Sequence, residues 1–330
     1  MSSGQRVSGT KILAQVKDWQ VRQGDDNHKT VSNSFESEHL PLRGSVLHRL
    51  PFSDAPMGHQ LALSEGMLAA FGEGNGSDYE PTPAFRWYVP RETALVLGNG
   101  QPLTAVDAAA ASKSQVTVYR RTSGGTAVLV DRALLSLDIA LPHNHSLASA
   151  DVTLAYRWVG EMWARALHTL GIPNAYAIPT ARVRAISPLA QDDPLRLACY
   201  GALSPWEVVV DDPMTRKPRK LVGLCQVRRR HGALFQTGVY RRLDASRLAR
   251  LLALPPDARQ SLTTRLSAAA IGMADVTPPH TRLSMKRVIQ TVERELANVF
   301  SAPAEDAEWT APMLATAERL ERERFQPVQF

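Results

Sequence analysis

Arg120-Arg121-Thr122-Ser123-Gly124-Gly125-Thr126-Ala127-Val128 is the stretch on which the reading of this chain turns. Two adjacent cations run into a small, flexible turn. Glycine reaches φ > 0 and lets the backbone approach a guest closely, so N–H groups in such a turn can converge on an anionic oxygen, and guanidinium groups add charge-assisted hydrogen bonds. That is the chemistry of a grip on an anion or an acyl carbonyl. Taken alone, the same pattern also fits a Gly-Gly hairpin between two strands, so its surroundings have to decide.

Residues 116–119 are a β-branched run that delivers the chain into the arginine pair, and residues 128–130 and 134–141 continue as strands. Upstream, residues 84–89 and 93–97 read as strands broken by Pro90 and ending at Gly98-Asn99-Gly100-Gln101. Residues 60–71 have helical spacing that points Leu61, Leu68 and Phe71 at a core, and residues 105–113 predict a short Ala-rich helix. From Asp151 as N-cap, Val152, Ala155, Tyr156, Val159, Trp163, Ala166 and Leu170 form an apolar stripe that ends at Gly171. Residues 206–210, 220–227 and 233–240 predict a three-stranded meander with a basic loop opened by Asp211-Asp212-Pro213. Residues 244–252, 258–270, 284–300 and 313–325 are then helical, and Met285, Val288, Ile289, Val292, Leu296 and Val299 share one face. Strands dominate the middle and helices the end. The expected class is α+β with a polar leader over 1–44, a main domain over 45–245 and a small helical subdomain over 246–330.

The chain has 330 residues, 44% of them hydrophobic, enough for one large or two modest domains. No run of about 18 apolar residues occurs, and the N-terminal stretch has no apolar signal core. A soluble, cytoplasmic protein without membrane contact is therefore expected. Cys199 and Cys225 are too few for a disulfide framework and lack the histidine company of a zinc site. The formal net charge of +6 suits a solvated basic surface or an acidic protein partner; no base-stacking motif accompanies it, so nucleic acid is not an expected partner.

The arginine pair with Ser123-Gly124-Gly125-Thr126-Ala127-Val128, then Lys220-Leu221-Val222-Gly223, then Gln226 and Gly238, together resemble the biotin/lipoate protein ligase catalytic-domain family. The likeness runs over roughly 45–325. It implies a mixed β-sheet core flanked by helices, akin to class II aminoacyl-tRNA synthetases and biotin synthetases. It also implies a Gly-rich loop that holds an acyl group and a lysine, Lys220, that contacts it. Ala198-Cys199-Tyr200, with Glu207 eight positions after the cysteine, resembles the cysteine-dependent octanoyltransferases within that family. Two histidine positions of many members are Val130 and Thr237 here, and the third glycine of the loop is Thr126.

On this resemblance Cys199 is the expected nucleophile, since a thiol is both a good nucleophile and a good leaving group for two successive thioester exchanges. Lys220 is expected to favour its thiolate and hold the carbonyl oxygen, with Glu207 in support. Arg120, Arg121, Ser123, Gly124, Gly125, Thr126, Ala127, Gly223, Gln226 and Gly238 are the expected acyl-binding set, and Cys225 a core residue. The implied reaction carries an octanoyl or lipoyl group from an acyl carrier protein through Cys199 to a lysine of a lipoyl-domain protein, of the glycine cleavage H protein or 2-oxoacid dehydrogenase E2 type, without a cofactor. An ATP- and Mg-dependent lipoate or biotin ligase working through an acyl-adenylate is one alternative. A non-catalytic binding member of the family is the other.

Overall fold

The computed structural model describes residues 46–72, 82–186, 188–278, 281 and 283–330; the polar leader over 1–44 lies outside the described residues. The strands are β1 (Leu47–Arg49), β2 (Ser53–Ala55), β3 (Ala84–Pro90), β4 (Ala94–Leu97), β5 (Thr117–Arg120), β6 (Val128–Val130), β7 (Leu134–Pro142), β8 (Tyr176–Ala177), β9 (Val208–Asp211), β10 (Pro218–Arg229), β11 (Gly232–Tyr240) and β12 (Ala304–Asp306). The helices are α1 (Met57–Ala69), α2 (Ala108–Lys113), α3 (Val152–Ala155), α4 (Arg157–Thr169), α5 (Thr180–Arg184), α6 (Ala245–Arg250), α7 (Pro256–Ala269), α8 (Met273–Val276), α9 (Met285–Phe300) and α10 (Ala311–Glu323).

The large sheet runs β12-β1-β3-β7-β11-β10-β9-β8, with β2 beside β3, and its parallel pairs are confined to the β12, β1, β2 and β3 edge. The expected meander is present as β9, β10 and β11, antiparallel throughout. At its centre β7 is buried along its whole length, which explains the nearly unbroken apolar run Leu134-Leu135-Ser136-Leu137 rather than a polar alternation. On one face of the sheet, α4 and α9 bury Trp163, Leu167, Val288 and Val292 against Phe85, Leu137, Phe235 and Val239. The other face meets the small sheet, α1 and α7 through Leu61, Leu95, Val118, Leu129, Tyr200 and Leu266.

Local signals account for most boundaries. Ser284 caps α9 by accepting from Arg287 N–H, and the expected stripe of α9 is buried from Met285 to Leu296. Asp151 caps as expected, accepting from Thr153 and Leu154 N–H, but its helix ends after one turn and a second begins past Tyr156. Val152 consequently stands 48% exposed, outside the stripe that Val159, Trp163 and Ala166 maintain. Helix α1 is buried on nearly every side and not along one stripe, and Phe71 lies beyond its end. A polar knot crosses this layer: the fully buried Arg86 donates to Asp138, to the Gln60 side chain and carbonyl, and to Ser64. Every carboxylate and guanidinium in it has a partner, which is the condition for tolerating charge at such depth.

The helices after residue 244 appear where the sequence places them, and β12 is an addition: it pairs in parallel with β1 and joins the last third of the chain to the large sheet. The Gly-Gly stretch is no hairpin. Strands β5 and β6 both pair with β4, one parallel and one antiparallel, so residues 121–127 cross over the end of β4. Among the described residues no helix is long and apolar enough to cross a membrane.

Candidate active site

The crossing loop folds back on its own arginine. Arg121 is 7% exposed and donates from Nε and Nη2 to the Gly124 carbonyl, at 3.1 and 2.8 Å, and from Nη2 to that of Thr126 at 3.0 Å. Arg120 turns the other way and donates from Nη1 to the carbonyls of Gly98, Asn99 and Gln101. The pair that sequence reasoning assigned to a guest is thus used to set two turns of the main chain. Gly125 has φ +88°, and a Cβ there would lie 2.7 Å from Arg121 Nη2; a Cβ on Gly98 would lie 1.8 Å from the Gly125 carbonyl. Gly124 has open space where its Cβ would be. Gly125→Ala is therefore expected to cost about 1–3 kcal/mol in chemical denaturation, whereas Gly124→Ala stays close to wild type.

Cys199 is seated directly against this loop. Ala127 N–H donates to the Leu197 carbonyl at 3.0 Å and Cys199 N–H to the Ala127 carbonyl at 2.9 Å, a short parallel bridge that fixes the two segments side by side. The half-buried Cys199 opens a 3-10 turn (Cys199–Gly201), with Arg121 Nη2 3.9 Å from Sγ. The position of a Gly125 Cβ lies 3.6 Å from the same sulfur. No main-chain carbonyl among the described residues takes up the N–H groups of Gly124, Gly125 or Thr126. The thiol, one guanidinium and three unspent amides are the local result.

Behind the thiol lies a buried ion pair. Lys220 and Glu207 are each 2% exposed; Nζ stands 2.9 and 2.8 Å from the two carboxylate oxygens and donates to the Cys199 carbonyl at 2.9 Å. Glu207 also accepts from Ser204 N–H at 2.8 Å and from Leu224 N–H at 3.4 Å. A register shift in β10 between Lys220 and Val222 brings the ammonium here. Glu207 is held from its other side as well, since Trp206 adopts φ +70° and its N–H donates to the Ile178 carbonyl at 2.7 Å. A non-glycine residue in that region marks a position the surroundings over-determine.

Sequence reasoning assigned no role to Tyr200, which the structure makes the wall of the site. Its hydroxyl donates to the Gly238 carbonyl at 2.6 Å and its ring meets Tyr240 edge-on. Gly223 and Gly238 are directly paired across β10 and β11, and a Cβ on either would come within 3.1 and 3.3 Å of that hydroxyl. The two family glycines make room for the aromatic beside the cysteine; the Ala-Cys-aromatic triplet was the signal available. Ser123 is buried, and the Cys225 thiol donates towards its hydroxyl and towards Gln236 Oε1, each at 3.6 Å. Burial pushes the Cys225 thiol above its ordinary pKa, which keeps it protonated at neutral pH.

Gln226 follows Cys225 on the strand and so points to the other face, paired with Phe235, its amide buried with neither atom partnered among the described residues. The two positions without the family's histidine are structural: Val130 is buried in β6, and Thr237 Oγ1 accepts from Trp163 Nε1 at 3.1 Å in the helix-side core. Outside the loop a cavity of about 430 Å³ is lined by Gly125, Thr126, Gln101, Leu197, Asp193 and Arg196. Gln101 is 5% exposed, donates to the Leu197 carbonyl at 3.2 Å and leaves Oε1 without a partner. No cluster of three potential metal ligands occurs among the described residues.

Comparison with known proteins bears on what such a site does. The lipoyl protein ligase A/B catalytic domain, as a sequence family, matches residues 56–297. The chain is 28% identical over 199 residues to octanoyltransferase LipM of Bacillus subtilis (strain 168), covering 60% of this chain and 66% of that protein. It is 27% identical over 186 residues to octanoyltransferase LipM of Halalkalibacterium halodurans, covering 56% of this chain and 62% of the relative. The chain thus spans less than two thirds of the length of either relative. In fold it is similar to a bi-partite lipoate protein ligase of Thermoplasma acidophilum, with a TM-score of 0.64 at 17% identity over 85% of this chain and 93% of that one. A lipoate-protein ligase A bound with ATP gives 0.61 at 17% identity, over 84% and 94%.

Proposed function

The chain belongs to the lipoyl protein ligase A/B catalytic-domain family, and from that premise we propose that it is an acyltransferase that moves an octanoyl or lipoyl group through a thioester on Cys199 to a lysine of a lipoyl-carrier domain. The observation that carries this reading is the seat of Cys199: its sulfur is 3.9 Å from Arg121, its N–H is bound to the Gly-rich loop and its carbonyl to Lys220. In the first step the Cys199 thiolate attacks the thioester carbonyl of the donor. A new C–S bond forms and the donor's C–S bond breaks, its thiol leaving with a proton. In the second, the lysine ε-amine attacks the acyl-Cys199 carbonyl, an amide forms and the thiol is restored.

Each neighbour has a distinct part. Arg121 lies against the sulfur, with Nη2 3.9 Å from Sγ, and holds the loop around it. The amides of Gly124, Gly125 and Thr126 are the donors for the tetrahedral oxyanion. Lys220 and Glu207 act as positioning residues that fix the cysteine's main chain, and Tyr200 with Gly223 and Gly238 walls the acyl group. The route draws on no nucleotide or metal, and the basic charge balance suits an acidic carrier domain. The purified protein, given an octanoyl-loaded acyl carrier and a lipoyl domain without ATP, is expected to acylate one lysine of the domain. Acylation that appears only with ATP and free octanoate contradicts the proposal.

A further inference from the structure

Just past Tyr240 at the end of β11, five arginines face one cavity of about 380 Å³: Arg91, Arg132, Arg241, Arg242 and Arg247, with Glu92 and Asp131 in the same wall. It forms where the ends of β3 and β11, the β6–β7 turn and α6 meet. Five arginines meet four carboxylates there, Glu92 and Asp131 in the wall and Asp54 and Asp275 beside it, which leaves one positive charge over. The carboxylates are already engaged. Asp131 takes Arg247 at 2.8 Å and the Ala133 N–H at 2.9 Å, while Glu92 accepts from Met57 N–H at the start of α1 at 2.8 Å. Asp54 holds Arg132 at 2.8 Å and stands 3.8 Å from Arg91, and Asp275 holds Arg242 at 3.3 Å.

Arg241 is the exception. It lines the cavity, and among the described residues no carboxylate stands within ion-pair distance of it. Its charge is thus left unpaired in the cavity wall, and a planar guanidinium fork matches a tetrahedral oxyanion. We propose that this cavity binds a phosphate group, with the Arg241 guanidinium as its anchor. The inference stands apart from the thiol chemistry, because the cavity lining shares no residue with the set placed around Cys199.

The test titrates the full-length protein with inorganic phosphate by calorimetry, against chloride at matched ionic strength. Saturable phosphate binding is expected with Kd about millimolar or tighter, and none with chloride. Arg241→Ala is expected to weaken it about tenfold or more, and Arg241→Lys, which keeps the charge and loses the fork, to bind between the two. A phosphate monoester and a phosphodiester in the same assay separate a free metabolite from a phosphodiester-linked arm, and binding of either supports the site. Absence of saturable phosphate binding in the wild type overturns the proposal, whether or not the variants fold. So does an Arg241→Ala or Arg241→Gln protein that melts like wild type and binds phosphate as tightly.

Discussion

Replacing Cys199 by serine leaves the fold intact and lowers acyl transfer on the order of 10³-fold or more. The fold survives because Cys199 contributes its main chain to the structure: its N–H to Ala127 and its carbonyl to Lys220 are the same in the variant. Activity does not, because an alcohol at neutral pH is a far weaker nucleophile than a thiol, and among the described residues the side chain bonded to this sulfur is Arg121, which is no base. Cys225→Ser is the matched control. That thiol faces Ser123 and Gln236 and is kept protonated by burial, so its loss leaves transfer near the wild-type rate. Transfer measured with both variants at equal, folded concentrations checks the expectation, and comparable losses in both would remove Cys199 from its role.

The second large effect concerns the ion pair beneath the site. Lys220→Met leaves Glu207 charged, buried and short of one donor, and Glu207→Leu strands the ammonium in the same way. Each is expected to cost about 3–5 kcal/mol of stability. The double variant Lys220→Met with Glu207→Leu removes both charges and is expected to regain part of that loss, because the desolvation cost disappears with the pair. It should not regain activity. The Cys199 carbonyl still lacks the ammonium that fixes it at 2.9 Å, and small displacements of a nucleophile cost large factors in rate. Denaturant unfolding and transfer rates on the three variants separate the two effects. A double variant with wild-type transfer would show that Lys220 and Glu207 only fill space.

Much of this was readable in the residues. The Gly-rich loop, the β9–β11 meander and the helices from Ala245 onward are signalled by local patterns, and local patterns survive folding. What was not readable depends on contacts between distant residues. That the loop crosses β4 instead of closing a hairpin depends on both its flanking strands choosing the same partner, Ala94–Leu97. That Arg120 serves the 98–101 turn depends on where that turn comes to rest.

Gly223 and Gly238 read as members of a pattern, and only the pairing of β10 with β11 shows that Tyr200 needs them. Gln226 entered the expected set through the resemblance, and the strand turns its side chain to the face opposite Cys225, which the residue types alone do not reveal. The two cations that meet at Cys199, Arg121 and Lys220, come from segments far apart in sequence. Their types were legible, but the division of labour, guanidinium on sulfur and ammonium on carbonyl, was not.

The most direct test of the central claim is the intact mass of the protein after incubation with an octanoyl-thioester donor and no acceptor. One octanoyl group is expected on the wild type and on Cys199-containing peptides after digestion, discharged by hydroxylamine and by a lipoyl domain, and absent from Cys199→Ser. An unmodified mass with a donor that other octanoyltransferases accept, or an octanoyl group retained by Cys199→Ser, contradicts the account.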